Sequence, residues 1–134
     1  MTKLSEIEGI GAVYEEKLKA AGIKSIEDLL EKGRTKKDRV NLTEISGVSD
    51  KLILEWLNRA DLARVKGIGS EYADLLEASG VDTVPELARR SPQNLVEKMA
   101  EVNEAKKLVR RLPVLSQVES WVAQAKELPR ALEY

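Results

Sequence analysis

Two Gly-Ile-Gly triplets constrain this chain more than any other feature: Ile7-Glu8-Gly9-Ile10-Gly11 returns 58 positions later as Val65-Lys66-Gly67-Ile68-Gly69. Aligned without a gap, residues 7–30 and 65–88 share eight of 24 positions, among them Tyr14/Tyr72, Leu18/Leu76 and Gly22/Gly80. A duplicated stretch of this kind is a structural building block. Two glycines around one apolar residue, leading into an amphipathic helix, describe a tight turn whose backbone N–H groups face outward. Such a turn can hold an anion.

The rest of the chain reads as helix, with no segment alternating like a strand. A helix over 12–21 places Val13, Tyr14, Leu18 and Ala21 on its apolar face, and Gly22 stops it. Ser25-Ile-Glu-Asp28 and Thr35-Lys-Lys-Asp38 open the next two helices, ending near Gly33 and at Gly47. Ser49 caps a helix through Ile53, Trp56 and Leu57. In the second half a helix over 71–79 stops at Gly80, Thr83 and Ser91-Pro92 start two more, and Ser116 caps the last. Trp56-Leu57-x-x-Ala60 matches Trp121-Val122-x-x-Ala125, so the duplication extends to the last helix, with about seven extra residues expected around 103–115. The tryptophans read as core anchors, because large aromatics at helical spacing usually pack inward. The expected fold is all-α: two pseudo-symmetric helical halves, 1–63 and 64–134, packed as one compact unit. A chain of 134 residues allows one domain or two small halves sharing a core.

Composition excludes several chemistries. With no Cys and no His, the chain has no disulfide, thiolate nucleophile, histidine metal site or Ser-His-Asp triad. No carboxylate pair stands in an apolar setting that would shift its pKa. The reading is a non-enzyme with no cofactor and no metal. No stretch approaches the roughly 20 apolar residues of a membrane span, and the first residues lack a signal-peptide core, so a cytoplasmic protein without membrane contact is expected. The net charge of −1 argues against a general nucleic-acid binder, but its distribution is uneven. Residues 32–41 and 89–111 each carry a net +4. The cations cluster as Lys36, Lys37 and Arg39 in the first block and Lys106, Lys107, Arg110 and Arg111 in the second. Such runs are ordinarily solvated helix surface.

The pattern Val65-Lys66-Gly67-Ile68-Gly69-x-x-Tyr72-Ala73-x-x-Leu76 resembles the helix-hairpin-helix motif of many DNA-binding proteins. The first copy fits except that Glu15 stands where a small residue is usual. Ile45-Ser-Gly47-Val48-Ser49 looks like a degenerate third hairpin, and Met99-Ala-Glu-Val102-Asn103 is the expected fourth. Residues 7–128 together resemble a bacterial family of tandem helix-hairpin-helix proteins classed as a domain of unknown function. In that motif the turn's N–H groups, helped by the helix dipole, bond a DNA phosphate. The resemblance therefore implies nonspecific duplex binding through Gly9, Ile10 and Gly11 and through Gly67, Ile68, Gly69 and Ser70. Lys or Arg usually follows the second glycine, whereas this chain has Ala12 and Val13, then Ser70 and Glu71. Glu8, Glu15 and Glu16 repel phosphate from the first turn, while Arg64 and Lys66 favour the second. Three uses of the turns are open: a compact joint between helices, a phosphate site, or a contact with another protein. DNA binding and a helical protein–protein adaptor are the two functional expectations, with DNA and another protein as the respective partners.

Overall fold

The computed structural model describes residues 2–7 and 9–133, and all regular structure among them is helical. A 3-10 turn (Leu4–Glu6) precedes α1 (Ala12–Ala20), α2 (Ile26–Lys32), α3 (Lys36–Ser46) and α4 (Asp50–Leu62). α5 (Ser70–Ala78), α6 (Val84–Ala88), α7 (Pro92–Lys106) and α8 (Leu115–Glu127) follow. The chain divides into two compact units, residues up to 61 with 130–133, and 62–129. Each has its own apolar core.

Local chemistry sets the helix ends. Ser25, Thr35 and Thr83 each accept the N–H three residues on, capping α2, α3 and α6. α1 and α5 end alike: Gly22 and Gly80 take φ of 89° and 93°, and the next residue bonds back to Leu18 or Leu76. This is the Schellman arrangement, which satisfies carbonyls the helix end would otherwise leave open. A cation ten residues on seals each stop, Lys32 Nζ donating to the Gly22 carbonyl at 3.4 Å and Arg90 Nη2 to that of Gly80 at 2.9 Å.

The cores are built around the tryptophans. Trp56 packs edge-on to Tyr14 with centroids 5.1 Å apart, and Trp121 meets Tyr72 at 5.2 Å. Leu18, Ile23, Leu29, Ile53 and Leu57 belong to the core of the first, and Leu75, Leu76, Leu87, Met99 and Val118 to that of the second. Val13 departs from expectation and is 67% exposed. Tyr14, Leu18 and Ala21 recur at helical spacing along one side, and Val13, about 100° before Tyr14, turns to solvent.

Two more local expectations change. Residues 99–103, expected as a fourth turn, lie inside α7, which at 15 residues outruns the 11 of α3. Helix propensity and the buried Met99 carry the helix through, and it stops at Lys107 in the left-handed region (φ 51°), as α3 stops at Gly47 (φ 74°). The extra residues thus divide between a longer helix and the loop 107–114. α8 begins at Leu115, before Ser116, because the Gln117 side chain accepts the Val114 N–H at 2.9 Å.

Candidate functional site

The two glycine turns have the same backbone. Gly9 and Gly67 adopt φ of 95° and 99°, and Ile10 and Ile68 donate their N–H to the Ile7 and Val65 carbonyls at 3.2 Å. Both isoleucines are about 5% exposed and belong to the cores, so they anchor the turns from within. Gly11 and Gly69 instead have extended backbone, φ −85° and −91°. They precede α1 and α5 as N-cap residues and supply no side-chain cap, so the first amides of both helices lack a capping oxygen.

The glycines differ in what they exclude. A Cβ on Gly67 would stand 2.8 Å from Trp121 Nε1, and one on Gly9 3.4 Å from Trp56 Nε1. Nothing lies within 4 Å of a Cβ on Gly11 or Gly69. The first glycine of each triplet is therefore required by its backbone, and Gly67 by the core as well, whereas folding gives the second no reason to lack a side chain.

In the second unit the turn lines an open cleft of about 360 Å³, formed by Gly67, Gly69, Ser70, Glu71, Tyr72, Arg110 and Arg111. Several contacts place the arginines there. The Tyr72 hydroxyl donates to the Arg111 carbonyl at 3.1 Å. Asn103 grips Val109 on both sides, its amide donating to the Val109 carbonyl and its oxygen accepting the Val109 N–H. Val109 and Pro113 are buried, so Arg110, Arg111 and Leu112 form the exposed span between them. Glu71 puts one carboxylate in the same cleft.

The other expected site residues are placed elsewhere or used otherwise. Gln124 holds the Lys66 main chain, accepting its N–H at 2.9 Å and donating to its carbonyl at 3.2 Å, while Lys66 itself is exposed beside the turn. Arg64 Nη1 donates to the Pro129 carbonyl at 2.8 Å. Lys106 and Lys107 are exposed at the end of α7. Gly9, Gly11, Lys36, Lys37 and Arg39 belong to the first unit. There Lys36 and Lys37 are exposed, but Arg39 is buried and donates to the carbonyls of Gly33, Arg34 and Glu133. Its position in a basic run gave no sign of this, since the Glu133 partner lies 94 residues away. Glu8 lies outside the described residues, Glu15 pairs with Lys19 at 3.6 Å, and Glu16 is exposed.

The described residues thus form an all-helical protein in which a glycine turn, Arg110 and Arg111 line one open cleft. The chain belongs to the family described as a domain of unknown function, DUF4332, whose model matches residues 8–128. No curated protein and no solved structure matches it. Among the described residues no helix is long and apolar enough to cross a membrane.

Proposed function

We propose that this is a non-catalytic nucleic-acid-binding protein of the helix-hairpin-helix type, which grips the duplex phosphate backbone without reading sequence. The second unit carries the grip. A phosphate oxygen at the Gly67–Gly69 turn accepts from the first amides of α5, where the helix dipole adds a partial positive charge. Arg110 and Arg111, which line the same cleft, supply charge-assisted contacts, and the exposed Lys66, next to Gly67 in sequence, adds a third cation.

The observation that carries this reading is Gly69. It has an extended backbone that any residue adopts, and open space where its side chain would be, yet it lines the cleft shared with Arg110 and Arg111. A missing side chain that neither backbone nor core requires is accounted for by close approach of something outside the chain. Glu71 opposes an anion in the same cleft and holds the affinity down.

A labelled-duplex titration at low and at physiological salt tests the proposal. Wild type binds at low salt and weakens with added salt. Lys66→Glu abolishes binding. Lys17→Glu has little effect, since Lys17 lies in the first unit over the Tyr14 ring at 5.7 Å. If wild type fails to bind duplex even at low salt, the reading is overturned and the helical protein–protein adaptor stands in its place.

A further inference from the structure

The span that brings Arg110 and Arg111 to the cleft is apolar as well as basic. Among the described residues, four of the seven exposed large apolar side chains fall within residues 108–115: Leu108, Leu112, Val114 and Leu115. None of them belongs to the apolar core of the second unit. Leu112 is placed most closely. The peptide it shares with Arg111 is held by the Tyr72 hydroxyl, 3.1 Å from the Arg111 carbonyl, and Tyr72 lines the cleft. Charge is one-sided along the same stretch: between Glu104 and Glu119 the chain has Lys106, Lys107, Arg110 and Arg111 and no carboxylate. The matching turn of the first unit, residues 47–49, has neither feature, since Val48 is buried between Gly47 and Ser49. A phosphate grip gives the arginines a use and the leucines none.

Building on the reading of the cleft as a phosphate site, we propose that Leu112 and its apolar neighbours pack on base faces, so that the partner is a duplex interrupted by unpaired bases. One ligand then accounts for both halves of the surface. Nucleic acid sets a base one sugar away from each phosphate, and Leu112 stands one residue away from an arginine of the cleft. In an intact duplex the base faces are stacked inside and the grooves show polar edges, so a leucine must first unstack a base step. Where bases are already unpaired that cost is absent, and packing leucine on them removes apolar surface from water. The charge of the span is complementary to the same ligand. Its four cations meet phosphates flanking the unpaired bases, and the stretch holds no carboxylate to repel them.

Two labelled duplexes titrated at low salt test this, one fully paired and one with the same ends and a central run of unpaired bases. The interrupted duplex binds about tenfold more tightly, the unstacking cost being of that size or larger. Leu112→Ser removes the preference while the paired duplex still binds, which shows that the variant is folded; Leu112→Met keeps the preference. Should Leu112→Ser fail to fold, Val114→Ser at the most exposed of the four positions takes its place and lowers the preference. Equal wild-type affinities for the two duplexes overturn this inference and leave the phosphate grip standing, whereas no binding to either overturns both. A preference that survives the serine variants also overturns it, because the flexibility of the interrupted duplex is then the cause. Vesicles of phosphatidylglycerol and phosphatidylcholine test the other occupant of a basic apolar span. Leu112-dependent sedimentation with them, at equal duplex affinities, assigns the span to a bilayer surface and overturns the proposal.

Discussion

At the scale of single residues, each triplet divides two tasks between its glycines. The first takes a backbone that L side chains rarely adopt, and the second leaves space open. Gly67→Ala must hold a left-handed residue and displace the Trp121 indole, at a cost of about 2 kcal/mol or more. Gly9→Ala meets Trp56 at an ordinary contact distance and costs about 1 kcal/mol. Denaturant unfolding of both variants ranks them, and an equal loss would show that the indole contact is irrelevant. Gly69→Ser gives the opposite pattern. Serine caps a helix at least as well as glycine, so stability holds within about 0.5 kcal/mol or rises, while duplex binding weakens. A variant that binds as well as wild type would remove the argument from close approach. Glu27 adds a pH dependence. The Thr2 hydroxyl and N–H donate to its carboxylate and lower its pKa from 4.5 to about 2. A depressed carboxylate stabilises the fold above its unfolded pKa, and that contribution is lost as pH falls from about 4.5 toward 2. Thermal unfolding between about pH 5 and pH 3 therefore shows a smaller decline for Glu27→Gln than for wild type.

At the scale of elements, the connection between α7 and α8 matters most, because it delivers both arginines of the cleft. It has no regular structure, and its shape depends on Val109 in the core, Pro113 below the surface, and the paired bonds from Asn103. Asn103→Ala leaves the part-buried Val109 N–H and carbonyl without those partners and costs about 1–3 kcal/mol. The same substitution releases the Arg110-Arg111 span and weakens duplex binding without changing any charge. Stability and binding measured on one preparation decide the point, since a loss of stability alone would separate the loop from the site. The corresponding turn between α3 and α4 takes only residues 47–49 and brings no arginine pair.

For the molecule as a whole, charge limits what any phosphate grip can achieve. The net charge is −1, so the chain has no long-range attraction for a polyanion, and the proposed duplex binding would depend on one local cluster. Three side-chain cations in that cluster give a log–log salt slope of about −3, with affinity in the 10⁻⁴–10⁻⁶ M range typical of nonspecific complexes. A titration over several salt concentrations measures the slope. A value near zero would mean that the interaction is not with phosphate.

The helical class and the helix stops at Gly22, Gly47 and Gly80 are legible in the order of residues alone. Each of these depends on a few neighbouring residues: a Ser or Thr bonds three positions on, and a glycine ends a helix because it alone enters the left-handed region without strain. The order of residues also indicates the tryptophans as core, through spacing that repeats on one helix face. Which cations share a surface is set by the folded chain. Arg39 and Arg110 look alike in their basic runs, yet one is buried against a carbonyl 94 residues away and the other lines the cleft. Arg111 is placed by a tyrosine 39 residues earlier. Charge carries no periodicity that reports such partners, and a long cationic side chain reaches solvent or a buried carbonyl from similar positions on a helix. The course of 130–133 was hidden for the same reason: a single leucine in an irregular segment carries no pattern, and the core it joins exists only once the first unit has folded.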